Sequence, residues 1–136
     1  MADDLDRAFA ELRLLNLPVP KPPSLPSEAD VDRVLDDVGV VVHNDLRRWF
    51  LEASDIVFGS LEPVRVGGGH TDFAKTLDLA RSWGVPPDAV PICEDNSDFY
   101  CIEPSGEVVY WSHNGTTDER WPDLATWITE VWIGGN

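Results

Sequence analysis

The sequence predicts helices packed against a sheet that contains an antiparallel hairpin, and three observations carry that expectation. Residues 90–113 read as three short strands with turn chemistry between the last two. Stretches on either side repeat apolar residues at helical spacing. Glycine and proline punctuate the intervals between them.

Taken in order, residues 3–15 place Leu5, Phe9, Leu12 and Leu15 on one face of a short helix. Prolines at 18, 20, 22, 23 and 26 follow. Proline donates no ladder or helix hydrogen bond, so this stretch is an extended, polyproline-like connector. Ser27 caps the next helix, with Asp30 where a capping box places an acid. Val31, Val34, Leu35 and Val38 form its stripe, and Gly39 ends it. Asp30, Asp32, Asp36 and Asp37 occupy its other faces as a solvated acidic surface. Asn44 or Asp45 opens a third helix that buries Leu46, Trp49, Phe50 and Ala53.

Two strands, 56–61 and 64–66, are expected to meet at a Glu62-Pro63 turn. The segment GGGHTDFAKT has neither of the glycine spacings of a phosphate loop, and Asp72 would sit beside the phosphates. It reads instead as a loop leading into a helix from about 72 to 83. Phe73, Leu77 and Ala80 face inward there, and Gly84 with Pro86-Pro87 stops it. Within 90–113 the strands are 91–94, 99–103 and 107–113. Pro104-Ser105-Gly106 closes the last two, since Pro104 presets φ and Gly106 can adopt the left-handed conformation. The register then pairs Ile102 with Val108 and Tyr100 with Tyr110 on one side. Cys101–Val109 and Phe99–Trp111 pair on the other. Both faces are apolar, so either both are covered or one binds a partner. NGTTDERWPD reads as a turn, and Pro122 lies in the first turn of a last helix with Leu124, Trp127, Ile128 and Val131 inward. Trp49, Trp83 and Trp127 read as core, and Trp111, on a strand, as a binding candidate.

The charge balance narrows function. Ten Lys plus Arg against 25 Asp plus Glu give a formal net charge of −15. That argues against direct nucleic-acid binding, whose phosphates need a basic patch. It suits a basic protein partner. The N-terminal MADDLDRAFAEL has neither a basic region nor an unbroken apolar run, and no stretch is long enough to span a membrane, so a cytoplasmic protein is expected. Reduced Cys93 and Cys101 fit that compartment, although neighbouring strands would permit a bridge in an oxidising one.

Catalytic motifs are sparse. Cys93, Cys101 and His113 match no common zinc spacing, and neither cysteine has an evident histidine partner. Neither a metal nor another cofactor is implied. Glu94, Asp95 and Asp98 are close carboxylates that, with His113, define an enzyme reading, but no converged polar pocket is evident around them. Solvated loop acids are the plainer account.

Several local phrases resemble the SUKH superfamily, the Smi/Knr-type domains common among bacterial immunity proteins. They are the helix ending in Gly-Val (VDRVLDDVGV), the helix reaching Ala80-Arg81, the run VPPDAVPICEDNSDFYCIEPSGEVVYWSH, and the closing helix over 121–132. Two departures stand out: His43-Asn44 replaces the customary proline before the second helix, and Asn96-Ser97-Asp98 stands where a glycine is common. The resemblance covers about residues 28–133. It divides the chain into an N-terminal helix and connector, 1–27, and a SUKH-like domain, 28–136. It implies an α+β fold with a mainly antiparallel sheet, helices against it and no catalytic apparatus. It also implies an immunity protein that binds and neutralises a toxin, commonly a nuclease. The alternative is a cytoplasmic regulatory or scaffold module of the same fold with an endogenous partner.

The expected binding edge comprises Glu94, Asp95, Asp98, Glu103 and Glu107, with Tyr100 or Trp111 as aromatic anchor. No Lys or Arg lies between positions 82 and 119 to offset these acids.

Overall fold

The computed structural model describes residues 3–135. Its helices are α1 (Asp4–Leu15), α2 (Glu28–Val38), α3 (Asn44–Glu52) and α4 (Phe73–Ser82). The strands β1 (Val90–Asp95), β2 (Asp98–Ile102), β3 (Val108–Ser112) and β4 (Gly115–Trp121) follow, then α5 (Leu124–Trp127). α5 continues as a π-wound segment over Ile128–Ile133. The strands form one sheet in the order β1-β2-β3-β4, every pair antiparallel. The fold is therefore α+β, with helices on both faces of a meander.

The central hairpin has the register expected from its alternation. Phe99 pairs with Trp111, Tyr100 with Tyr110, Cys101 with Val109 and Ile102 with Val108. The Glu103 N–H donates to the Glu107 carbonyl at 2.9 Å, and the Gly106 N–H donates to Glu103 at 2.8 Å. Gly106 is required twice over. Its φ is 93°, and a Cβ there would stand 2.8 Å from His43 Nε2. The third helix opens at Asn44 as expected, with His43 as its N-cap: the ring nitrogen Nδ1 accepts the Asp45 N–H at 3.0 Å. One imidazole thus fixes the entry to α3 and the turn between β2 and β3.

Ser27 and Asp30 form the expected capping box, and Gly39 closes α2 at φ 70°. On α2 only Val31 is fully buried, while Val34 and Leu35 are half-buried at its edge. Leu5, Ala8, Phe9 and Leu12 of α1 join Trp49, Phe50, Phe73, Trp127 and Ile128 in one buried cluster beneath the Tyr100 face of the sheet. Arg48 ties α1 to α3. Its guanidinium bonds Asp3 at 3.0 Å, Glu52 at 2.7 Å and Asp6, and its Cζ lies 5.7 Å from the Phe9 ring centre. On the sheet's other face a smaller cluster joins Ala80, Val85 and Ala89 to Phe99 and Cys101.

Five expectations need correction. Segments 56–61 and 64–66 do not form strands; only isolated bridges join Pro63 to Cys93 and Arg65 to Asp72. Side chains take two of the carbonyls in this segment, those of Ile56 and Val64. Arg65 donates to the Ser54 and Ile56 carbonyls at 2.6 and 2.9 Å, and Trp49 Nε1 donates to Val64 at 2.7 Å.

Conversely, the stretch read as a turn is largely strand β4, paired to β3 with a bulge between Val109 and Trp111. As an edge strand it has polar residues where alternation would otherwise mark it. The last helix is capped by Asp123, whose side chain accepts the Thr126 N–H, so Pro122 precedes the helix. Its π winding bonds Gly134 N–H to Thr129, and the wider turn carries Trp132 inward while Val131 is only half-buried. Finally, Trp83 is not core: it is 45% exposed. Trp132 is buried in the cluster the sequence reading assigned to other tryptophans, with Nε1 donating to Phe58 at 2.9 Å.

Cys93 and Cys101 are free and buried. They belong to different clusters on opposite faces, which explains why neighbouring strands do not bring the sulfurs together.

Candidate protein-binding surface

The β1–β2 turn consists of Asn96 and Ser97, with φ of 52° and 70°. A two-residue hairpin needs this left-handed pair to match strand twist, and Asn tolerates it better than Ser does. The Ser97 N–H donates to the Glu94 carboxylate at 2.9 Å, which holds the strained turn. The tip therefore displays exposed Glu94 and half-exposed Asp95, and Asp98 follows where β2 begins.

Asp98 has a different role from its neighbours. It accepts the Tyr110 hydroxyl at 2.7 Å, the His113 N–H at 3.0 Å and His113 Nδ1 at 2.7 Å. These partners, led by the Tyr110 hydroxyl, hold its carboxyl below the ordinary value of 3.8. With its side chain only 18% exposed, Asp98 pins the β1–β2 tip to the β3–β4 turn. His113 is consequently an oriented imidazole, the arrangement a general base needs. Among the described residues no hydroxyl or thiol nucleophile is hydrogen-bonded to it, and no group of three His, Cys, Asp or Glu is arranged to hold a metal.

Glu103 and Glu107 lie at the opposite end of β2 and β3, one strand length or roughly 15 Å away. Both are engaged by Arg120 of β4, whose Nε bonds Glu107 at 3.1 Å while Nη2 bonds Glu103. The five acids thus divide between two ends of the sheet, and the cation offsetting the far pair comes from the strand the sequence did not reveal. The two aromatic candidates also separate. Tyr100 packs inward against Tyr110, Trp121 and Trp127, with centroids 4.9, 5.7 and 5.2 Å away. Burial, reinforced by Asp95, pushes its phenol up to about 12. Trp111 lies on the other face, half-buried, 6.0 Å from Phe99.

Around the tip are residues that sequence reasoning did not assign. Glu62 and His70, hydrogen-bonded to each other, join Glu94, Asp95 and Asn96 around a cleft of about 240 Å³. Trp83 stands at the end of α4, its ring centroid 5.4 Å from that of His113. One signal for Trp83 was available: it sits roughly 90° from the centre of the Phe73–Leu77–Ala80 stripe. Glu62 offered none, because its place depends on an irregular segment.

This architecture has known counterparts. The model of the family SUKH_5, SMI1-KNR4 cell-wall, matches residues 5–133. The chain belongs to the SUKH family. That match includes α1, beyond the 28–133 over which the resemblance was drawn. A crystal structure of a protein from Pseudomonas syringae pv. tomato resembles this SUKH domain with a TM-score of 0.90 and 34% sequence identity. The similarity covers 95% of this chain and 98% of that one. No curated protein matches the chain. Among the described residues of the SUKH domain, no helix is long and apolar enough to cross a membrane.

Proposed function

We propose that this SUKH domain is a cytoplasmic immunity-type protein that binds and neutralises a bacterial toxin with a basic, nuclease-like surface. It acts by occupying that surface and catalyses no reaction itself. Family membership supports a protein partner. The observation that carries the basic partner is the hairpin tip. Among the described residues neither Glu94 nor Asp95 makes an ion pair, and both border the cleft that also contains Glu62. Unneutralised carboxylates at one end of a protein of net charge −15 create a field that speeds encounter with a cationic surface.

The test is to produce each polypeptide encoded beside this one in a bacterial host, with and without the SUKH domain. Growth arrest by one neighbour, relieved by the SUKH domain and accompanied by a stoichiometric complex, is the expected result. If no neighbour is toxic and the protein instead co-purifies with an endogenous factor, the regulatory-module alternative replaces this reading.

A further inference from the structure

Two apolar surfaces stand apart on the molecule. The first is the connector between α1 and α2. Its ends hold extended backbone, with φ and ψ of −56° and 126° at Asn16 and −79° and 165° at Ser27. Val57 tethers the start: its carbonyl accepts the Leu17 N–H at 2.8 Å, and its N–H donates to Asn16 Oδ1 at 2.9 Å. Pro23 and Pro26 are half-buried and share clefts with Val66, Gly67 and Gly68, while Pro22, Ser24 and Leu25 are exposed. That is a period of three, as in a polyproline II helix with one edge on the domain and two outward. Pro22 and Leu25, three apart, share one outward edge. The second surface is at the end of α4. Trp83 is exposed but firmly held, its N–H donating to Leu79 and Ala80 at 3.1 and 3.2 Å, with Gly84 following at φ 93°. Its ring centroid is 5.4 Å from that of His113, which Asp98 orients through Nδ1. Trp111, two residues before His113, packs half-buried against the cluster that contains Ala80.

We propose that the outward edges of the connector in one copy dock on the Trp83, His113 and Trp111 rings of another, so that the protein self-associates head to tail. Extended proline-rich segments are recognised by aromatic side chains lining a groove, and this chain holds both halves of that contact. Its own connector cannot supply it. The connector lies beside Val66–Gly68, ahead of α4, and the 10 residues of that helix place Trp83 about 15 Å farther on. Charge permits a second copy here. Lys21 is the only charged residue between Arg13 and Glu28. Exposed Lys75 shares the Leu79 side of α4, four residues before it. The net charge of −15 on each copy still opposes association, and salt screens that repulsion. Two different patches meet, so the contact does not close on itself and chains of copies grow. A short connector edge covers only a few hundred Å², roughly the weak end of specific interfaces, which sets a dissociation constant on the order of 100 µM. This inference does not rest on the toxin reading.

Sedimentation velocity of the full chain from about 10 to 500 µM measures this. The weight-average sedimentation coefficient should rise with concentration, and more steeply at about 0.5 M salt than at 0.05 M. Trp83→Ala alone should be monomeric, and so should Pro22→Ala with Leu25→Ala. An equimolar mixture of those two variants should form a dimer and nothing larger, because each keeps the surface the other has lost. That recovery also shows that both variants are folded. A wild type that stays monomeric throughout overturns the proposal, as does association that survives either variant. A mixture that remains monomeric while the wild type associates means that the two surfaces do not meet each other, and overturns it in favour of a symmetric contact. Association that weakens with salt overturns it in favour of ion pairing.

Discussion

Leu12→Ala tests whether α1 is part of the domain's core. Leu12 is fully buried, in the cluster that contains Trp127, Ile128 and Trp132. The substitution removes three carbons, worth about 2.4 kcal/mol of transfer free energy at roughly 0.8 kcal/mol each. A residual cavity of up to ~80 Å³ would add as much as ~2 kcal/mol. The expected loss is therefore about 2.5–4.5 kcal/mol. For 136 residues the unfolding entropy is about 0.29 kcal/mol/K, so Tm should fall by about 9–16 °C. Scanning calorimetry measures this, and Leu14→Ala is the control, since Leu14 is 88% exposed on the same helix. An unchanged Tm for Leu12→Ala would refute the reasoning and make residues 1–27 an appendage on an independently stable 28–136.

Asp98 should shape the acid limb of stability. Its folded-state pKa is depressed, so its contribution is present above about 3.8 and is lost as pH falls through the folded value. Urea midpoints of the wild type and Asp98→Asn should differ at pH 6 and converge toward pH 3; parallel curves would remove Asp98 from that role. Burial pushes both the Cys93 and Cys101 thiols up to about 12. Neither should react with a thiol reagent at pH 8 in the native protein, and both should react in denaturant. Native labelling of either, or a disulfide found in denaturant, would contradict the two-faced placement.

The parts of the fold legible in sequence were those fixed by local repetition. The β2–β3 register follows from alternation and one proline–glycine turn, and the α2 ends from a capping box and a glycine. What stayed hidden depended on distant partners. β4 is an edge strand, so Asp118, Glu119 and Arg120 could be polar without spoiling it; only Asn114-Gly115 hinted at a turn into a strand. Segment 56–66 has strand-like residues, but Arg65 takes the Ile56 carbonyl and Trp49 that of Val64, and no local pattern announces a side chain capturing backbone from another element. The two ends of the expected binding edge could not be told apart in sequence for the same reason. Charge density along the chain cannot reveal that Arg120 engages both Glu103 and Glu107.

That division gives the acidic surface a sharper test than net charge permits. If attraction were a property of the whole molecule, any two carboxylates would contribute alike. If it resides at the hairpin tip, Glu94 and Asp95 should dominate, because Asp98 is committed to Tyr110 and His113, and Glu103 and Glu107 to Arg120. Glu94→Lys with Asp95→Lys changes the net charge by four, from −15 to −11. Asp36→Lys with Asp37→Lys, on the exposed side of α2, makes the same change elsewhere. Stopped-flow association with the partner identified by growth protection should slow about tenfold for the tip pair at low ionic strength. The α2 pair should have a much smaller effect. Added salt should bring the three rates together, since exposed charges are screened beyond about 10 Å at 0.1 M. Equal slowing by both pairs would mean that the tip only adds to a general field, and that the partner docks on some other surface.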